Sequence, residues 1–256
     1  SALSTSAILS WTSGGASNYI YKYKPTAGTT TYGSTNTNSN FNLSGLTANT
    51  EYQFWVRDSC GTGDVSLWLG PITFKTECNP VSIPFSEDFD NATWVSAANF
   101  NDAGTINSCW KRDENPEYLW VPKAGASFWF GTGPSADHTT GLITGKYAMT
   151  HRVGNGLSTN DVDLETPWID LSGSSQPELE FYYHMFADGN LGGNLFVDVW
   201  NGTNWVVVDS LKGEQQTTQA AAWSQRLIDL TGFTGTVQAR FRAIKLVGQY
   251  GDICLD

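Results

Sequence analysis

The sequence predicts an all-β protein, and three observations carry that prediction. Several short runs alternate their side chains with a period of two, turn dipeptides punctuate the chain, and the composition is poor in charge and rich in aromatics. Charged residues are 15 % of the 256 residues, with 26 Gly and 11 Trp; a globular chain usually carries about 25 % charged residues. Short strands joined by polar turns suit that composition, because aromatic and β-branched side chains fit a pleated, half-buried surface while Gly, Asn and Ser fit turns. The length allows one to two domains, each able to bury its own core.

In the first part, Ala7–Trp11 is a largely apolar run. Tyr19–Lys24 sets Tyr19, Tyr21 and Tyr23 on one face and Ile20, Lys22 and Lys24 on the other. Phe41–Leu46 follows a Thr/Asn/Ser-rich loop, Tyr52–Arg57 alternates again, and Ile72–Lys75 closes the set. That spacing is the one expected of a sandwich. Asn79-Pro80 and Pro84 mark a linker over residues 79–84. Beyond it the expected strands are longer: Lys146–Arg152, Leu179–Ala187, Leu195–Trp200, Trp205–Ser210, Arg226–Leu230, Thr236–Ile244 and Asp252–Asp256. In the sixth of these, Val237, Ala239, Phe241 and Ala243 oppose Gln238, Arg240, Arg242 and Ile244. Asn155-Gly156, Asp188-Gly189 and Asn201-Gly202 are hairpin dipeptides. This set predicts a two-sheet jelly roll. The expected organisation is a β-sandwich domain over 1–78, the linker, and a jelly-roll domain over 85–256.

The charge is unevenly placed. Residues 1–80 hold four basic residues (Lys22, Lys24, Arg57, Lys75) and four acidic ones (Glu51, Asp58, Asp64, Glu77), so the remainder carries the whole net charge of −11. That acidity argues against nucleic acid and against anionic lipid, both of which need a basic footprint. No apolar run approaches about 18 residues, so no membrane insertion is expected. The chain opens on Ser1 without a leader and is read as part of a larger chain. Four cysteines without a C-x-x-C pair suit two disulfides in an oxidising compartment, the alternative being four free thiols. Neighbouring early and late strands of a jelly roll would pair Cys109 with Cys254.

Two resemblances follow from particular motifs. Leu9-Ser10-Trp11, the Tyr-rich strand and Gly45-Leu46-Thr47-Ala48-Asn49-Thr50-Glu51-Tyr52 resemble a fibronectin type III domain over about residues 1–77. The resemblance implies a core Trp11, a tyrosine corner at Tyr52, and a Cys60–Cys78 disulfide of the kind found in bacterial versions. Phe85-Ser86-Glu87-Asp88-Phe89-Asp90, Gly133-Pro134-Ser135-Ala136-Asp137-His138-Thr139-Thr140-Gly141, Thr166-Pro167-Trp168-Ile169-Asp170-Leu171, Phe181-Tyr182-Tyr183-His184-Met185 and Gly251-Asp252-Ile253-Cys254-Leu255-Asp256 occur in order. Together they resemble a MAM (meprin/A5/receptor phosphatase mu) domain, the first as its opening acidic strand. The cysteines beside the opening strand and after Tyr-His-Met in animal versions have no counterpart here, which points to a bacterial version.

No motif of a catalytic class is present. His138, His151 and His184 form no H-E-x-x-H zinc pattern, there is no G-x-S-x-G elbow, and Gly131-Thr132-Gly133 opens no helix. The chain is therefore expected not to be an enzyme, and its histidines to be structural. A structural Ca2+ held by Asp90, Asp137 and Asp256 is weighed against a merely solvated acidic rim, since calcium takes hard oxygen ligands. Trp120, Trp129, Trp200, Trp205 and Trp223 are the candidate ligand contacts, because tryptophan supplies a large stacking surface; core packing is the competing reading for each. The expected function is a non-catalytic extracellular or cell-surface binding region recognising a polysaccharide or an extracellular protein. The alternative is an accessory region, targeting or spacer, of a larger secreted peptidase or polysaccharide-degrading enzyme.

Overall fold

The computed structural model describes residues 2–114, 118–128, 131–152, 161–187, 192–245 and 252–256. The protein is all-β: among the described residues every regular element is a strand. The chain divides into two units, one ending at Asn79 and one beginning at Pro80.

The first unit contains β1 (Ser6–Leu9), β2 (Asn18–Pro25), β3 (Thr31–Thr35), β4 (Phe41–Ser44), β5 (Glu51–Gly61), β6 (Asp64–Val65) and β7 (Leu69–Lys75). β1 and β4 form an antiparallel pair, and β5 is the hub of a second sheet, flanked by β2, β6 and β7, with β3 beyond β2. The alternating side chains do what their periodicity requires: Tyr19, Tyr52, Phe54 and Val56 are buried against Ala7, Leu9, Leu43 and Leu46. Trp11 packs edge-on against Tyr19 (5.4 Å between centroids) and Phe41 (5.9 Å). The Thr47 N–H donates to the Tyr52 hydroxyl at 2.9 Å, tying the chain entering β5 to the strand itself. β3 lies inside the segment expected to be loop; its Thr and Tyr pair with β2 although Gly and Ser dilute its pattern.

The second unit contains β8 (Val81–Ser82), β9 (Lys111–Arg112), β10 (Tyr118–Ala124), β11 (Lys146–Arg152), β12 (Asp161–Glu165), β13 (Ile169–Asp170), β14 (Glu178–His184), β15 (Gly193–Trp200), β16 (Trp205–Lys212), β17 (Ser224–Asp229), β18 (Thr236–Lys245) and β19 (Cys254–Leu255). One sheet runs β10-β11-β19-β14-β17, the other β16-β15-β18-β12-β9, with β13 joining β18 to β8. Between them lies the main core, in which Trp120, Phe181, Tyr183 and Leu255 from the first sheet meet Leu164, Leu195, Val197, Val199 and Phe241 from the second. The other face of the first sheet is covered too: Leu119, Val121, Tyr147, Met149 and Cys254 form a smaller core with Ala97. β10, buried on both faces, therefore reads as a continuous apolar run, and Pro122 within it hides it from a search for alternation.

Three expectations are corrected here. Residues 85–90 are not a strand; the Glu87 and Asp88 carboxylates turn back to accept the N–H groups of Phe89 (3.1 Å) and Asp90 (3.1 Å), which opens the segment into turns. The two proposed disulfides do not form. Cys78 and Cys109 are bonded, whereas Cys60 and Cys254 are free thiols. Cys254 is wholly buried in the smaller core, where desolvation drives its thiol pKa well up, so it serves as a packed apolar side chain. Of the three hairpin dipeptides, Asn201-Gly202 joins β15 to β16 with Gly202 at φ 95°, while Asn155-Gly156 and Asp188-Gly189 lie outside the described residues.

Candidate functional site

Two places bring together the residues that sequence reasoning singled out. The first is the loop from Asp137 to Leu142. Asp137 is buried, and its carboxylate accepts from Thr140 N–H (2.7 Å), Thr140 Oγ1 (2.8 Å) and Leu142 N–H (3.0 Å). Asp256, from the chain end after β19, accepts from His138 N–H (2.7 Å), Thr139 N–H (3.1 Å) and Thr139 Oγ1 (2.8 Å). Two carboxylates thus neutralise the polar groups of one loop. Gly145 is required beside them, since a Cβ there would lie 2.3 Å from the Asp137 Cγ. His138 stacks on Tyr182 at 3.5 Å, and Trp223 anchors the loop by donating its indole N–H to Ala136 O at 3.1 Å. Replacing Asp137 by Ala is expected to cost about 3 kcal/mol, the usual price of stranding donors that served a buried carboxylate. At this size the thermal midpoint should fall by about 6–12 °C, which calorimetry would check.

In the structure these carboxylates are engaged by protein donors. Asp137 and Asp256 spend their oxygens on N–H and O–H donors, and Asp90 Oδ1 accepts the Lys146 N–H at 2.9 Å. The cation beside Asp90 is the ammonium of Lys146, which donates to the carbonyls of Asp90 (3.0 Å), Asn91 (3.0 Å) and Trp94 (2.9 Å). Among the described residues no group of three or more His, Cys, Asp or Glu side chains converges as a metal site. Chelation is accordingly expected to leave the melting temperature unchanged; a fall on adding EDTA, reversed by calcium, would show a site of another composition. His151 is buried with its Nε2 against Phe100 O at 3.0 Å, and burial lowers the His184 pKa to about 4, so that ring is neutral at physiological pH.

The second place is the outer face of the sheet β16-β15-β18-β12. Alternation that buries Val197, Val199, Ala239 and Phe241 turns Phe196, Trp200, Arg240 and Arg242 outward. A β-bulge between Val197 and Asp198 shifts the register against β16 and brings Trp200 opposite Trp205. The two indoles meet edge to face at 5.6 Å, both half-buried. Arg240 lies over the Trp205 ring at 4.3 Å and Arg242 over the Phe196 ring at 4.5 Å. Both guanidinium groups converge on Asp198, only 1 % exposed: Arg240 Nη2 at 2.7 Å and Arg242 Nε at 3.0 Å. Arg240 also reaches Asp163 Oδ2 at 3.0 Å. The other oxygen, Asp163 Oδ1, is buried without a hydrogen-bond partner, and burial raises that carboxyl to about 6.

Of the five tryptophans proposed as contacts, the structure brings Trp200 and Trp205 together. Trp120 is corrected to a core residue: it is 1 % exposed and its indole donates to Val162 O at 3.2 Å. Trp223 packs against Tyr147 and His184 and holds the Asp137 loop. Trp129 lies outside the described residues. Phe196, Asp198 and Asp163 were not singled out, although the parity that turns Trp200 outward also applies to Phe196.

A buried carboxyl elsewhere gives the stability a pH signature. Asp252 is raised to about 6 by burial, offset in part by hydrogen bonds from Ser127 and Thr132. With Asp163 it makes the folded state bind more protons than the unfolded chain between about pH 4 and 6, so their contribution falls as pH rises through that window. Asp102, Asp170, Asp209 and Asp229 are held below the usual value, mainly by hydrogen bonds to their charged forms; their contribution is lost as pH falls below about 4. His184, lowered to about 4, works the other way over the same window, so the Asp252 contribution is read by comparing urea midpoints of parent and Asp252→Asn across pH 4–6. The parent's midpoint relative to that variant should fall as pH rises through the window, and a difference constant with pH would contradict the assignment.

The family model described as "MAM domain, meprin/A5/mu" matches residues 98–256. The chain belongs to the MAM domain family. Among solved structures it is similar to the K1 cleaved adhesin domain of Lys-gingipain from Porphyromonas gingivalis W83, with 17 % identity and a TM-score of 0.44 over 66 % of this chain and 92 % of that one. The K2 cleaved adhesin domain of Lys-gingipain gives 20 % identity and 0.41 over 67 % and 94 %. TmCBM61, solved with beta-1,4-galactotriose, gives 12 % and 0.36 over 57 % and 83 %.

Proposed function

We propose that this chain is a non-catalytic binding region of an extracellular or surface protein, and that its recognition face is the outer side of β16-β15-β18-β12. The observation that carries this reading is the arrangement around Arg240: a Trp200–Trp205 pair to stack on a ligand, and beside it a guanidinium fixed by Asp198. Aromatic rings beside fixed polar groups suit a polysaccharide, whose sugar faces stack while its hydroxyls accept from a guanidinium. The Cys78–Cys109 disulfide supports an oxidising compartment, and among the described residues no helix is long and apolar enough to cross a membrane. The first unit is proposed as a fibronectin type III-like module, supported by the Thr47–Tyr52 hydrogen bond and the core position of Trp11.

The experiment is calorimetric titration of the purified chain with a panel of neutral polysaccharides and matrix proteins. Saturable binding to a polysaccharide, weakened about tenfold or more by Trp205→Ala, is expected. Saturable binding to a matrix protein instead would move the ligand class, and binding indifferent to Trp205 would move the site.

A further inference from the structure

The first unit carries a face that the reading above does not use. Core packing of Tyr19, Tyr52, Phe54, Val56 and Phe74 turns their neighbours on β2, β5 and β7 outward. All four basic residues of residues 1–80 follow that parity: Lys22, Lys24, Arg57 and Lys75 share one surface, and Glu51 is the one carboxylate placed with them. A unit with no net charge therefore presents a strongly cationic side, within a chain of net charge −11.

Two tryptophans organise its centre. Lys22 Nζ lies 5.0 Å from the Trp55 ring and 4.6 Å from the Trp68 ring, and the Arg57 guanidinium lies 4.5 Å from Trp68. The indoles hold the two side chains and fix their charges side by side. Surface cations on a folded protein commonly find a carboxylate, yet among the described residues neither Lys22 nor Arg57 forms an ion pair or a side-chain hydrogen bond. Arg57 Nε is moreover buried with its donor unspent. Tyr32, opposite Lys22 on β3, and Leu67, beside Trp68, extend the surface with 65 % and 92 % exposure.

We infer that this face binds an acidic polysaccharide through its carboxylate or sulfate groups, with Lys22 and Arg57 as the anion contacts and Trp55 and Trp68 as the residues that position them. Charge complementarity selects the occupant. Fixed guanidinium and ammonium groups match single carboxylates or sulfates spaced along a sugar chain. A nucleic acid, with about one charge per 1.7 Å of duplex, calls for a denser row of cations than Lys22 and Arg57 supply.

The test is affinity electrophoresis of the full chain through gels containing polygalacturonate, dextran sulfate or neutral dextran, at low and physiological salt. Retardation is expected in one or both acidic gels, fading with salt, and none in dextran. Lys22→Gln with Arg57→Gln should weaken it about tenfold or more, while Lys22→Arg with Arg57→Lys retains most of it and Trp205→Ala leaves it unchanged. Gln53→Glu, which adds a carboxylate to the same face without touching the core, should weaken it independently. Equal retardation in dextran that persists in Trp205→Ala, retardation insensitive to both the Gln and the Glu variants, or tighter binding of a single-stranded oligonucleotide than of either polysaccharide would overturn the inference. A loss confined to polygalacturonate or to dextran sulfate assigns the anion as carboxylate or sulfate.

Discussion

Replacing Asp198 by Ala is expected to lower stability by about 3–5 kcal/mol, because it leaves two guanidinium groups without the buried carboxylate that neutralises them. The side chain is 1 % exposed and accepts from Arg240 Nε (3.0 Å) and Nη2 (2.7 Å) and from Arg242 Nε (3.0 Å). The remaining partner of Arg240, Asp163, is drawn toward its neutral form by burial and cannot replace the lost charge fully. The same substitution should loosen the recognition face, since Arg240 over Trp205 and Arg242 over Phe196 both depend on that anchor. Urea unfolding would read the first effect and ligand titration the second. A variant as stable as the parent would mean that the arginines find other partners.

Trp120→Ala and Trp205→Ala should separate core from face. Trp120 fills the space between the two sheets of the second unit and donates to Val162 O, so its loss creates a large cavity and a cost of about 3–5 kcal/mol. Trp205 lies half-buried on the outer side, where losing the ring and its contact with Arg240 costs about 1 kcal/mol. The predicted pattern is a destabilised Trp120→Ala that binds normally at temperatures where it is folded, and a stable Trp205→Ala that does not bind. Thermal melts paired with titrations would check both, and the reverse pattern would place the ligand elsewhere.

Strict alternation made much of the fold legible. β2, β5 and β18 could be read because one face of each is apolar, and a period of two then assigns every side chain. β10 was not legible: its residues are buried on both faces, so the period disappears. β3 lacked an apolar face to mark it. The candidate site was half legible for a related reason. Parity turned Trp200 outward, but only the register across β15 and β16 shows that Trp205 meets it. Trp120 could not be told from a surface tryptophan because a ring in a two-sided strand and a ring beside a turn look alike in one dimension. The cysteines show the same limit, since their pairing depends on distances through space that spacing along the chain does not encode.

The central claim is that ligand meets the outer side of β16-β15-β18-β12. The most direct measurement is a nuclear magnetic resonance titration of the indole N–H signals, assigned by single Trp→Phe variants, with the polysaccharide that binds tightest in calorimetry. The account predicts that the Trp200 and Trp205 signals move together along one saturable curve while those of Trp120 and Trp223 stay in place. Movement of Trp223 with Trp200 and Trp205 still would contradict it and shift the site to the Asp137 loop.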